Sequence, residues 1–356
     1  MTTLKQHLLQ RIARTGPMTV AEYMMECLWH PELGYYATRD PLGAEGDFTT
    51  APEISQMFGE LIGLCLAQSW IDQGQPAPFA LVELGPGRGT LMSDILRAAS
   101  KVPGFTDAAE VHLVEASEPL RTEQRTRVPD AQFHDHIDTL PDLPLFLIAN
   151  EFLDALPIRQ FVRDPKGWSE RMIGAEGEAL AFGQATPAPL EMLDQYLEDT
   201  KPGEMIEHCG PLPAFVGAIG EQIAKQGGVA IFIDYGDDGT RGNTLQAVRA
   251  HQKVDPLEDP GQADLTAHVD FAAIAKAAGT AVTETTPQGV FLERLGITTR
   301  AQALARTLDG PSMESHIAAH RRLTHPDEMG TLFKVIGLYP DTAPPPPGLT
   351  PCHSKS

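Results

Sequence analysis

Residues 79–90 read FALVELGPGRGT. An apolar run carries an acid at Glu83, glycines follow at 85, 87 and 89, and a helical run extends from Leu91 to Ala99. Strand, glycine-rich turn and helix in that order open a doubly wound α/β unit. The spacing is G-x-G-x-G, whereas a dinucleotide fingerprint places its third glycine one residue later. Gly87-Arg88-Gly89-Thr90 lacks the Gly-Lys-Ser/Thr of a P-loop, and the chain has no Gly-x-Ser-x-Gly nucleophile elbow.

Outward from this turn, Val111 to Glu115 is a second apolar run ending in an acid, one βαβ repeat further on. A carboxylate at the tip of a second strand can accept both hydroxyls of a nucleoside ribose. The competing assignment for Glu115 is a cap for the helical run Ser117 to Arg127. Strand-like runs recur at 131–133, 145–149 and 229–233. Leu145 to Ala149 is apolar on both faces, as a central parallel strand should be. Apolar runs near 280–284 and 331–337 supply an antiparallel closing pair, with a mostly helical 289–330 between them. The expected fold is therefore α/β, a seven-stranded Rossmann-like sheet. Glu83 with the three glycines resembles E-x-G-x-G-x-G, the first motif of S-adenosylmethionine (SAM) methyltransferases. There the backbone approaches a carboxylate, a sulfonium and a ribose, and no pyrophosphate.

Residues 3–29 read as two short helices broken at Thr15-Gly16-Pro17. A Gly-, Pro- and aromatic-rich stretch, 30–52, reads as a long ordered loop. Helical spacing follows from Glu53 to Asp72, with Pro52 suited to a helix start. Between the strand at 145–149 and the next lies an insertion. It carries the alternating pair IRQFVRD (158–164) and WSERMIG (168–174), a hairpin pattern joined by Pro-Lys-Gly. The division expected is an N-terminal segment 1–75, a main domain 76–342 with insertions at 155–227 and 289–330, and a proline-rich tail 343–356. The tail reads as extended or disordered.

Composition narrows the function. The 356 residues are 42% hydrophobic, enough for a real core, and no apolar run approaches a membrane span. The N-terminal stretch lacks the long apolar segment of a secretory signal. Four cysteines (27, 65, 209 and 352) are scattered without a C-x-x-C pair, which fits reduced thiols in a cytoplasm. A net charge of −21 argues against a nucleic-acid partner, since phosphates must be neutralised by Lys and Arg. It suits a cationic substrate equally with simple solubility. Nothing fixes the oligomeric state.

Ligands of open α/β sheets bind beyond the carboxyl ends of the strands. Asn150-Glu151-Phe152-Leu153-Asp154 stands there, with two carboxylates three residues apart. A helical turn would bring both to one side, where they could hold a guanidinium. Arginine is not deprotonated at neutral pH, so an enzyme methylating it must orient a nitrogen and take its proton as the bond forms. The alternative is that Glu151 and Asp154 brace the start of a helix. His134-Asp135-His136, and His316 with His320, read as solvated faces, and no metal-ligand set is expected.

These stretches, with Gly46 to Leu61, Asn150 to Phe161, Ile233 to Gly236, Gly242 to Gln252 and Ala263 to Phe271, place a resemblance. The chain resembles the SAM-dependent methyltransferase family of the mitochondrial dysfunction protein A, arginine methyltransferases of respiratory complex I assembly. The likeness runs from about residue 4 to 339 and implies a SAM-methyltransferase fold with N-terminal helices and an inserted lobe. It implies a protein substrate, an arginine on the 49-kDa-type subunit of NADH:ubiquinone oxidoreductase, dimethylated symmetrically. By this resemblance Glu151, Asp154 and Asn150 serve catalysis. Glu83, Gly85, Gly87, Gly89, Glu115 and Asp135 hold the cofactor, and Asp47, Phe48 and Thr50 fold over it. Ala263 to Asp270 walls the substrate groove, with Asp270 equally assignable as a helix cap. A short, acidic, untargeted chain suggests a bacterial, cytoplasmic enzyme. Two other functions share the motifs. One is a non-catalytic SAM-binding assembly chaperone. The other is a methyltransferase for another nitrogen, with Asn150 in the role of an Asn-Pro-Pro-aromatic motif whose prolines are here Glu151 and Phe152. An NAD-linked dehydrogenase is opposed by the glycine spacing.

Overall fold

The computed structural model describes residues 3–38, 49–239 and 241–352. The chain divides into two compact units. The larger comprises Thr49–Leu153, Pro213–Asp238 and Val269–Ser356. Its main strands are β1 (Phe79–Leu84), β2 (Ala109–Val114), β3 (Gln132–His134), β4 (Leu145–Asn150), β5 (Gly228–Asp237), β6 (Ala281–Val282) and β7 (Phe333–Tyr339). They lie in the order β6-β7-β5-β4-β1-β2-β3. From β5 to β3 every pairing is parallel. β7 runs antiparallel to both β5 and β6, the closing pair expected from the sequence. The two-residue segments Val269–Asp270 and Thr286–Pro287 pair with β5 and β7. Every residue of β1 and β4 is buried, as in a parallel sheet covered on both faces.

Three helices of this unit matter for the site: α1 (Gln56–Asp72), α2 (Thr90–Ala99) and α3 (Glu118–Arg127). α1 does not begin at Pro52. A short helix, Ala51–Ile54, ends at Ser55, whose extended backbone lets its hydroxyl accept the Met57 N–H and start α1 afresh. Serine is a strong N-cap because it satisfies an otherwise orphaned donor. α1 lies directly on α2 through two glycines. A Cβ on Gly59 would stand 2.6 Å from Asp94 Cβ, and one on Gly63 would stand 2.8 Å from Ile95 Cα. The tail, expected to be extended or disordered, is packed and ordered as far as Cys352. Leu349 is buried in the core of this unit, the Thr350 carbonyl accepts the Glu284 N–H, and Cys352 N–H donates to Val282. Residues 353–356 lie outside the described ones.

The smaller unit gathers Met1–Phe48, Asp154–Leu212 and Gly239–His268. Its helices Leu4–Thr15 and Val20–Trp29 each start at a capping box, on Thr3 and Thr19. The hairpin of Ile158–Asp164 and Gly167–Glu176 forms as expected. Met205–Cys209 pairs on one side of it, with Met18–Thr19 and Ala179–Gln184 on the other. A three-stranded sheet joins Gln246–Arg249, Gln252–Val254 and Asp264–Thr266. Leu4, Leu8, Val20, Tyr23 and Met24 share one apolar core with Ile158, Ile173 and Leu265. The N-terminal helices thus belong with the inserted strands, and not to a segment 1–75 of their own. Most of the helix Leu212–Gln226 belongs with the larger unit.

Candidate active site

The glycine turn closes the carboxyl end of β1. Gly85, Gly87 and Gly89 have φ of +59°, +53° and +80°, a region that side chains disfavour. A Cβ on Gly85 would also lie 2.8 Å from Cδ2 of Phe152. Beside the turn, Glu83 is 3% exposed, and its Oε2 is buried without a hydrogen-bond partner. Its carboxyl accepts the Met92 N–H in the first turn of α2. Burial pushes the Glu83 pKa up to about 8, and the charge of Glu115 adds to that shift.

Glu115 follows β2 and is itself buried. Its Oε1 accepts the Ser117 N–H at 2.7 Å, so it braces the start of α3. Burial raises its pKa, and the Ser117 amide, Gln124 and Arg121 oppose the rise. Gln124 joins the two halves of this region: its Nε2 donates to the Gly87 carbonyl at 2.6 Å and lies 3.4 Å from Glu115 Oε2. Sequence reasoning missed Gln124. The signal was its place on the i, i+4 stripe with Leu120 and Val128, where a polar residue has to be buried. Asp135 is exposed and ion-paired with Arg121 at 2.7 Å. Thr50 precedes the helix Ala51–Ile54, and its side chain caps nothing. Asp47 and Phe48 lie outside the described residues.

Asn150 ends β4, and Glu151 follows with φ +51°. A left-handed backbone costs a non-glycine residue about 1–2 kcal/mol. The Glu151 N–H donates to the Ile233 carbonyl at 2.9 Å. Its Oε1 accepts the Ala51 N–H at 3.0 Å and Asn150 Nδ2 at 3.2 Å. Asn150 Oδ1 is buried without a partner. The expected helical turn across 151–154 is absent. A single 3₁₀ turn, Leu153–Ala155, follows the left-handed residue, so Glu151 caps no helix that follows it; its carboxylate instead braces the first N–H of the short helix Ala51–Ile54. Asp154 falls in the smaller unit, where it is buried and its carbonyl accepts the Ala267 N–H. There Tyr36 has its pKa raised by burial, then by Asp264 and Asp154. The His268 N–H donates to Thr244, and Asp270 caps the helix Phe271–Ala277.

Among the described residues, His7, Glu26 and His30 place ligand-type atoms within 4.8 Å of one another. Arg11 already holds Glu26 at 2.8 Å. His30 Nδ1 accepts the N–H groups of Glu32 and Leu33, which leaves the ring proton on Nε2. That is a poor metal ligand. His134 is taken up by its contact with His112 at 2.9 Å.

Residues 61–289 match the family described as "Putative S-adenosyl-L-methionine-dependent methyltransferase". The mouse "Protein arginine methyltransferase NDUFAF7, mitochondrial" is 36% identical over 96% of this chain and 85% of its own length. The human protein of that name is 35% identical, over 96% and 84%. A Burkholderia thailandensis protein solved bound to S-adenosyl-homocysteine superposes with a TM-score of 0.82 at 30% identity, covering 94% of this chain and 91% of that one. One expectation is corrected. The mouse, human and Drosophila relatives are named as mitochondrial, which overturns the bacterial, cytoplasmic reading. Scattered thiols and acidic charge report redox state and charge, and neither specifies a location.

Proposed function

The chain belongs to this family of S-adenosyl-L-methionine-dependent methyltransferases, and on that premise we propose that it methylates a protein arginine. S-adenosyl-L-methionine is the methyl donor, and when bound it supplies an electrophilic methyl group on a cationic sulfur. The larger unit fits such a group. Its glycine turn lets a ligand approach the backbone, the unpartnered Glu83 oxygen suits a cationic group, and Glu115 suits ribose hydroxyls. A guanidinium nitrogen must lose its proton as it accepts the methyl. We assign that proton to Glu151, and Asn150 Oδ1 offers a further acceptor for the substrate's N–H groups. The supporting observation is the position of Glu151, in a strained, multiply bonded turn at the end of the central strand. Backbone strain persists only where its surroundings enforce it, and it concentrates at functional sites.

The names of the relatives support arginine as the acceptor. The finer reading follows the family resemblance: symmetric dimethylation of the 49-kDa-type subunit of NADH:ubiquinone oxidoreductase. Asp154, carried over from the family resemblance, is tested separately by the methyl-transfer rate of Asp154→Asn. The deciding variant is Glu151→Gln, which keeps shape and removes the proton acceptor. Its affinity for S-adenosyl-homocysteine should match wild type while methyl transfer falls about 10²-fold or more. Wild-type turnover would remove Glu151 from the reaction. Mass spectrometry of the 49-kDa-type subunit, from cells with and without the gene, checks the substrate.

A further inference from the structure

We propose that Asp234 is a positioning residue for methyl transfer, which holds the turn Glu151–Leu153 in its reactive shape. This rests on the reading of Glu151 as proton acceptor. Asp234 lies on β5 beside the end of β4, where Ile233 is in register with Asn150. It is 1% exposed. Its Oδ2 accepts the N–H groups of Phe152 at 3.2 Å and Leu153 at 3.0 Å, and its Oδ1 accepts that of Tyr235 at 2.9 Å.

Three backbone donors converge on one side chain, and a carboxylate matches them. It offers two acceptor oxygens and no donor, whereas an amide offers one acceptor and two donors. The residue immediately before the clamped amides is Glu151, whose left-handed backbone is unfavourable for its type. The first clamped residue is Phe152, whose ring packs where a Cβ on Gly85 would stand and lies 5.6 Å from the Phe215 ring. Asp234 therefore fixes two things together: the direction of the Glu151 carboxylate, and the ring seated on the glycine turn. Its carboxylate acts on the backbone amides of Phe152, Leu153 and Tyr235, so its effect passes through the turn.

The test uses the full chain, with methyl-labelled S-adenosyl-L-methionine and protein extract from cells lacking the gene. Asp234→Asn preserves volume but sets amide hydrogens against backbone N–H groups. Initial rate per folded molecule should fall about 10- to 100-fold, with the half-saturating donor concentration changed less than about threefold. Combined with Glu151→Gln, Asp234→Asn should add little, since residues acting as one unit are non-additive. Hydrogen exchange at the Phe152 and Leu153 amides should accelerate in the folded variant. Should Asp234→Asn not fold, Asp234→Glu retains the charge while displacing the turn, and should show the same pattern. A wild-type rate in folded Asp234→Asn overturns the proposal. So does a loss that multiplies with that of Glu151→Gln, which would make Asp234 an independent structural brace. If Glu151→Gln alone turns over like wild type, the functional reading has failed and the positioning role falls with it. That outcome is visible in the single variant.

Discussion

Glu83 occupies an environment that resists its charge. It is 3% exposed, and one oxygen has no partner. Burial, with a smaller contribution from Glu115, lifts its pKa to about 8 from the 4.5 of a free glutamate. An unfolded chain loses this proton near 4.5, while the folded chain keeps it up to about 8. Between those values the unfolded state binds fewer protons, so stability contributed at this site falls as pH rises. Glu83→Gln removes that dependence. Its melting temperature, relative to wild type, should be higher at pH 7.5 than at pH 5. A cationic ligand reverses the preference, because it favours the carboxylate. Binding of S-adenosyl-L-methionine at pH 7 should therefore release up to about one proton, and affinity should rise towards pH 8. Calorimetry in buffers of different ionisation enthalpy measures that release. Wild-type protein that releases no proton would place the donor's charge away from Glu83.

Elements read from local pattern survive where local chemistry fixes them. The strand–glycine–helix unit at 79–99 is legible because three positive φ angles demand glycine, and the buried strands because both of their faces are apolar. The turn after Asn150 was not legible. Its left-handed Glu151 is set by bonds to Ile233 and Ala51, which are distant in sequence. The packing of the tail was not legible for a related reason. Its prolines look disordered, yet Pro346 and Leu349 pack at Gly337 of β7, where a Cβ would lie 3.2 and 3.0 Å from them. Leu349→Ala should accordingly cost about 2–5 kcal/mol, the range for a buried leucine. Denaturant unfolding would show it as a lower midpoint at unchanged slope. A dispensable tail predicts no shift.

Across the whole chain, two units assemble from interleaved segments, and this was the least legible level of organisation. The helix stripes of Leu4, Leu8, Val20 and Tyr23 announce a buried face, but nothing local says that Ile173 and Leu265 complete it. Charge, by contrast, is a property of the whole molecule that sequence gives directly. The chain carries 48 acids against 27 Lys and Arg, a net −21. Such a field concentrates cationic ligands near the protein and steers their approach. A protein segment presenting arginine should gain from it, and salt should remove the gain. The Debye length falls from about 10 Å at 0.1 M to about 3 Å at 1 M. Raising ionic strength across that range should increase KM for an arginine-bearing substrate several-fold. It should leave kcat nearly unchanged, because the buried and half-buried groups proposed to hold the guanidinium are screened far less than the exposed surface. The control is Kd for S-adenosyl-homocysteine, which has no net positive charge to steer and should vary less. If KM proves insensitive to salt, the acids serve solubility alone, and substrate selection rests on contacts within the site.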